Sequence, residues 1–275
     1  DADKDQVLQL MKQQIDDLLL ESGIDKNRLL GVGIGVPGVI DYKNNYSVFF
    51  ERINGWENVL IGDIIQEYIG KPVYICNDVN LISWAERKVA HLEDIKNMLY
   101  IIIRSGIGMA IWNDGSLMQG EMGNSGRIGH MTVDKNGLQC KCGNRGCLGL
   151  YTSEKSMIRM YGELTGKELK WAGELFPLAE AGDAAALQVF ETCGRYLGTG
   201  IVNVANLFDI SEVVLSTSFD SSYILKSAQY ALDARKMNTI RREVKVRKGL
   251  LQESSFGLGG CLLVLNKEHM SLLEG

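Results

Sequence analysis

His130, Cys140, Cys142 and Cys147 put one imidazole and three thiols within eighteen residues, in a segment that closes Cys140-Lys-Cys142-Gly-Asn-Arg-Gly-Cys147. Thiolate and imidazole are borderline-soft donors and suit zinc better than calcium or magnesium. Four protein ligands leave no open position for a catalytic water, so these residues predict a closed, structural zinc site. Cysteine is also a common core residue, and Cys76, Cys193 and Cys261 lie in apolar stretches where that reading holds. Three of the chain's six cysteines inside eight positions do not fit it. Gly143 and Gly146 supply the tight turn that lets Cys142 and Cys147 converge.

Other polar positions admit two readings each. Asn77-Asp78 follows a short apolar run, at the carboxyl end of an expected strand, where α/β sheets bind ligands. Asp78 there is either a general base towards a sugar hydroxyl or the cap of the next helix; position alone does not separate the two. Ser105-Gly-Ile-Gly108 could cradle phosphate with bare amides, although such a turn is more often a hairpin. Arg127, three residues before His130, is either an anion contact or a solvated side chain. Gly33-Ile-Gly35-Val-Pro-Gly38 matches the spacing of a dinucleotide fingerprint. Pro37 disfavours the helical start that such a site needs, and a turn past which backbone packs closely fits better. His91 and His269 carry no assigned role.

The segments around these residues alternate between helical and strand patterning. Apolar side chains at helical spacing predict helices over residues 7–20, 56–68, 81–89, 153–164, 184–206 and 222–234, and a last one from about 256. Short β-prone runs at 29–36, 73–76, 98–103, 109–112 and 212–215 predict strands, with a hairpin turn at Asn113-Asp-Gly115. Alternating strands and helices argue for an α/β fold. The 275 residues allow one large or two medium domains. A net charge of -5 argues against a bare nucleic-acid surface. No apolar run approaches the roughly 20 residues of a membrane helix. The acidic start Asp1-Ala-Asp-Lys-Asp5 carries no secretory signal, and clustered thiols without one point to a reducing cytoplasm. A first residue of Asp reads as a processed or truncated product.

Together these segments resemble the ROK family of bacterial sugar kinases and sugar-responsive repressors. The resemblance rests on Gly31-Val-Gly-Ile-Gly-Val-Pro-Gly38, Asn77-Asp-Val-Asn80, Gly106-Ile-Gly108, Gly129-His-Met131 and Cys140-x-Cys-Gly-x-x-Gly-Cys-Leu148. It continues through Gly194-Arg-Tyr-Leu-Gly198 to Asn206-Leu-Phe-Asp209. It implies a ribonuclease-H-like, actin-like sugar kinase fold of two α/β lobes around a cleft, with a structural zinc loop over 130–147. The lobes are expected at 1–97 and 98–255, the smaller completed by a C-terminal helix at 256–275 and lacking its first β-hairpin. The candidate ligand contacts are Asn54, Asn77, Asp78, Arg127 and His130, and the resemblance makes Asp78 the base in a kinase. His130 would bind zinc through one ring nitrogen and a sugar hydroxyl through the other.

Departures from the family pattern bear on function. The usual Glu-x-Gly-His reads Arg127-Ile-Gly-His130, and the usual Cys-Leu-Glu reads Cys147-Leu-Gly149. A carboxylate accepts two hydroxyl hydrogen bonds; Arg only donates, and glycine has no side chain. The nucleotide turns, at Gly106 and Gly108 and at Ser216 and Thr217, are eroded. The second reads Ser216-Thr-Ser218 where bare glycine is expected, and the first phosphate hairpin, Asp-x-Gly-x-Thr, is absent. The expectation is the sugar-sensing effector domain of a ROK-type transcriptional regulator, with its DNA-binding region outside this chain and ATP binding in doubt. An anionic sugar derivative would suit Arg127. The alternative is an ATP-dependent ROK hexose kinase with Asp78 as base. The resemblance also implies a homodimer or tetramer, and the absence of a long apolar run predicts no membrane partner.

Overall fold

Asp3 and Gln6 start the first helix as a reciprocal cap: the Gln6 N–H donates to Asp3 Oδ1 at 2.9 Å and the Asp3 N–H to Gln6 Oε1 at 3.2 Å. The computed structural model describes residues 3–235, 242–250 and 255–274. In chain order its elements are α1 (Lys4–Ser22), β1 (Val32–Val36), β2 (Val39–Asp41), β3 (Tyr46–Phe49), β4 (Glu57–Val59), α2 (Ile61–Ile69), β5 (Val73–Asn77) and α3 (Asp78–Val89). Then come β6 (Met98–Ile103), β7 (Ile107–Asn113), β8 (Ser116–Leu117), α4 (Gly149–Thr152), α5 (Glu154–Thr165), α6 (Leu175–Glu180), α7 (Ala184–Phe208), β9 (Glu212–Thr217), α8 (Ser222–Asp233), β10 (Lys245–Lys248) and α9 (Ser255–Glu274). None of the described helices is long and apolar enough to cross a membrane.

The chain divides into two units. The first comprises Asp1–Val89, Gln119–Ser125 and Glu253–Gly275; the second comprises Ala90–Met118 and Gly126–Gln252. The expected boundary at 97/98 thus falls at 89/90, and a short segment between β8 and the cysteine loop joins the first unit. Residue 275 of the expected last helix lies outside the described residues.

In the first unit β1 and β5 run parallel, with Val32 opposite Val73 and Val36 opposite Asn77. A three-stranded antiparallel sheet, β2-β3-β4, stands beside them in the sequence order. The core gathers Leu8, Val36, Ile40, Trp56, Ile61, Ile65, Ile69, Val73 and Ile75. Ile61, Ile65 and Ile69 are four residues apart, which puts one apolar face of α2 into that core. Trp56 is buried, and its indole N–H donates to Ser47 Oγ at 2.9 Å, so the ring's one polar atom is satisfied. The helix expected over 56–68 therefore starts at Ile61. Residues 57–59 pair with β3 instead, and Leu60 offers no side-chain cap that would mark the start.

The second unit holds a mixed five-stranded sheet in the order β10-β9-β6-β7-β8. β6 lies parallel to β9 and antiparallel to β7, and β10 lies parallel to β9. Every residue of β6 is buried, as a strand covered on both faces requires. α7 packs against α8 where Gly194 and Gly198 let the helices approach: a Cβ on Gly194 would lie 2.4 Å from Ser227 Cβ. Leu197, Ile201, Phe190, Val213 and Leu215 share the resulting core.

β10 reads Lys-Val-Arg-Lys and has no apolar run to announce it. Its place depends on pairing with β9 and on two ion pairs, Arg247 with Glu212 and Lys248 Nζ with Asp220 Oδ2 at 2.8 Å. Lys248 is the main cause that holds the Asp220 carboxyl down at about 2, from an ordinary 3.8. A depressed folded-state value makes this pair stabilising above pH 3.8, with the contribution lost as pH falls towards about 2. Because both side chains are partly exposed, the expected cost of Asp220→Asn at neutral pH is only about 0.5–1 kcal/mol. Acid titrations of stability should show the gap between the two proteins shrinking from about pH 4 and closing only as pH falls through about 2; a gap that stays constant across that window would refute the assignment.

Candidate functional site

The cysteine loop is built from turns that fold back on themselves. A short 3-10 turn, Ile128–His130, presents His130, and the chain then bridges Thr132 to Cys147 and Gln139 to Arg145. The Cys140 N–H donates to Asn144 O at 2.8 Å and the Gly143 N–H to Cys140 O at 3.1 Å, which brings Cys140 and Cys142 onto one knuckle. Gly146 carries φ +63°, and a Cβ there would sit 1.6 Å from Asp134 O, so only glycine passes. Leu148 is fully buried and its N–H donates to Met131 O at 2.9 Å, closing the loop. Tyr151 holds the far side: its hydroxyl accepts from the Leu138 N–H at 3.2 Å, and its ring stacks on Tyr196 at 4.0 Å between centroids.

His130, Cys140, Cys142 and Cys147 converge as a result. One ligand atom from each lies within 4.8 Å of all the others, a group able to hold a metal ion. Cys142 Sγ is 3.6 Å from Cys147 Sγ, and Cys140 Sγ is 4.0 Å from His130 Nδ1. All four residues come from the second unit. His130 and Cys142 are exposed and Cys147 is buried. Burial above all pushes the Cys147 thiol up to about 12. The Cys142 thiol is lowered, first by the backbone N–H of Asn144 and then by Cys140.

The remaining sequence-predicted residues fall as follows. Asn77 ends β5 and Asp78 begins α3, both half-buried; both carboxamide and carboxylate oxygens accept the Val79 N–H, at 3.1 and 3.0 Å. Asn77 therefore stands at the position that caps α3, and Asp78 lies in the helix's first turn at the carboxyl end of β5. Asn54 is exposed in the β3–β4 connection, and its carbonyl accepts the Lys4 N–H at the start of α1. Arg127 is exposed and precedes the 3-10 turn of His130.

The residues of the two eroded turns lie at a hairpin and at a strand end. Gly106 lies in the β6–β7 hairpin, where the Arg104 N–H donates to Gly106 O at 2.8 Å. Gly108 lies inside β7 opposite Ile102, because the antiparallel pairing runs to the hairpin's end. Ser216 and Thr217 also belong to a strand: β9 continues two residues past the expected Leu215, opposite Ile102 and Ile103. The Thr217 hydroxyl donates to Phe219 O at 2.5 Å, which forms the turn that follows. Glu154 went unremarked in the sequence. Its contact with Ser218 spans 64 positions, and no local pattern signals it.

A mixed sheet, crossover helices and a loop that gathers one histidine with three cysteines make an α/β protein whose fold matches actin-like sugar kinase structures. The chain belongs to the ROK family, whose model matches residues 2–266. It is 34% identical over 244 residues to a xylose repressor of Bacillus spizizenii, covering 88% of this chain and 62% of that protein. It is 28% identical over 267 residues to a glucokinase of Halalkalibacterium halodurans, covering 89% of this chain and 78% of the kinase. The crystal structure of a ROK family transcriptional regulator, a homologue of the E. coli MLC protein, superimposes with a TM-score of 0.86 at 25% identity, over 96% of this chain and 69% of that one. Repressors and kinases thus both stand among the relatives, and the chain spans less than two thirds of the xylose repressor's length.

Proposed function

We propose that this chain is the sugar-sensing effector portion of a ROK transcriptional regulator, that zinc fixes its cysteine loop, and that it transfers no phosphate. The observation that carries the reading is the end of β9. Side chains stand at Ser216, Thr217 and Ser218, and the Thr217 hydroxyl is committed to Phe219 O, where a nucleotide turn needs bare backbone. Phosphoryl transfer depends on positioning and charge stabilisation, so a filled turn removes its main resource. The similarity to a xylose repressor over 88% of the chain supports the same reading. DNA contact is assigned to a part of the protein outside this sequence, in keeping with the net charge of -5.

Zinc is favoured by the donor set and by the spacing. Four ligands at about 2.0–2.3 Å in a tetrahedron stand roughly 3.5–3.8 Å apart; the Cys142–Cys147 and Cys140–His130 separations are 3.6 and 4.0 Å. His130 faces Cys140 through Nδ1, so Nε2 is the nitrogen left for a sugar hydroxyl. Asn77 and Asp78 are the hydroxyl contacts proposed for the first unit. Arg127 replaces a carboxylate, and Gly149 cannot supply another: a Cβ there would lie 3.2 Å from Gly129 O. The ligand class proposed is therefore a sugar phosphate or sugar acid, since guanidinium pairs with those groups.

A thermal-shift panel tests this. Anionic sugars are expected to raise Tm and neutral glucose or xylose to leave it unchanged, and Arg127→Gln should erase the shift. Preference for a neutral sugar would refute the ligand class. A second reading, a hexose kinase with Asp78 as base, draws on the strand-end position of Asp78 and on the glucokinase similarity. The full-length gene product should show no hexose-dependent ATP turnover; turnover that Asp78→Asn abolishes would establish the kinase instead.

A further inference from the structure

The carboxyl ends of β6 and β9 are adjacent, with Ile103 opposite Thr217 in parallel register. Ligands of α/β sheets bind outside such strand ends. The turn after β6 is open: a Cβ on Gly106 would meet nothing within 4 Å. Glu154 joins the two turns. Its backbone N–H donates to Arg104 O, at the β6 turn, at 2.9 Å. Its carboxylate Oε1 accepts from Ser218 Oγ, beyond β9, at 2.5 Å. Ser153 caps the same helix by accepting the Ser156 N–H, so Glu154 is fixed in the first turn of α5. A carboxylate in a first turn is stabilised by the positive end of the helix. That is the interaction a bound phosphate would otherwise make.

We propose that Glu154 is a specificity-determining residue: a built-in anion that bars nucleotide polyphosphate from the strand-end turns. The assignment rests on the non-catalytic reading above and supplies the reason for it. Ser218 positions the carboxylate by a side-chain bond, and the charge does the excluding. A fixed negative charge a few ångströms from an incoming phosphate repels it, and salt weakens the effect.

The test is fluorescence anisotropy with a fluorescent ATP analogue and Mg2+, on the intact protein. The arms are the unaltered chain, Glu154→Gln, which keeps the shape and loses the charge, and Ser218→Gly, which frees the carboxylate to turn away. Circular dichroism and Tm confirm that each variant is folded. Glu154→Gln is expected to bind the analogue about tenfold tighter or more than the unaltered chain at low salt, the gap shrinking at high salt. Ser218→Gly should fall between them, and inorganic triphosphate should compete. If the unaltered chain binds the analogue tightly and Glu154→Gln binds it no better, both this assignment and the non-catalytic reading fall. If all three bind equally weakly, only the role of Glu154 is overturned.

Discussion

Cys142→Ser is expected to release one metal ion per chain and to lower the Tm of the protein by about 6–12 °C. Structural zinc binds with an apparent free energy of about 10–16 kcal/mol in small zinc-dependent folds at neutral pH. In a unit with its own apolar core, only part of that is lost with the metal. A loss of ~3 kcal/mol corresponds to the stated shift, at about 2–4 °C per kcal/mol for a unit of this size. Cys142 is the informative ligand to change because it is exposed. Replacing fully buried Cys147 would also place a hydroxyl in the interior and confuse the two effects. Serine keeps nearly the same volume and hydrogen-bonding ability, so the thiolate is what is removed. Elemental analysis and calorimetry on the same preparations read both outcomes. A Cys142→Ser protein that keeps its metal, or that loses it and melts at the original temperature, would contradict a structural role.

The cysteine loop was legible in the sequence because metal ligation and tight turns both act locally. Cys140, Cys142 and Cys147 need only the intervening glycines to converge, and His130 needs one more reversal. The long helices were legible for a similar reason. Their apolar faces repeat every three to four residues, and the cap of α1 lies three positions from its partner. What stayed hidden depends on partners far along the chain. β10 is a run of charges until β9 offers it backbone and Glu212 and Asp220 offer it carboxylates. Trp56 and, within β4, Val59 would suit a helix, and the pairing of β4 with β3 decides against it. Ser216 and Thr217 look like a turn and become strand because β6 extends beside them. Glu154 belongs to this class: residue type and position said only that it starts a helix, and its charge gains meaning from Ser218.

Gly33 makes the same point from the opposite side. Its spacing with Gly35 and Gly38 resembles a phosphate-binding fingerprint, yet what approaches it is protein. A Cβ on Gly33 would lie 2.3 Å from Gly260 O and 2.8 Å from Gly260 Cα, so the bare face of β1 is where the backbone of α9 comes to rest. Gly259 repeats the arrangement one residue earlier, with a Cβ 2.3 Å from Leu81 O on α3. Backbone cannot rotate aside as a side chain can, so Gly33→Ala must push α9 away from β1 and from α3. Overpacking a close contact costs roughly 1–3 kcal/mol, and more where only backbone can yield; the expected loss is therefore at least ~3 kcal/mol. Gly33 has an ordinary strand backbone, so the penalty comes from the contact and not from lost conformational freedom. Gly257 is the natural control, because a Cβ there meets nothing within 4 Å. Gly257→Ala should leave stability unchanged or raise it slightly, since alanine favours the helix by about 1 kcal/mol. Urea unfolding of the two variants separates the explanations. A mild effect at Gly33 would mean that α9 is not seated on β1, and an equal loss at both positions would mean that the helix, not the seam, is what alanine disturbs.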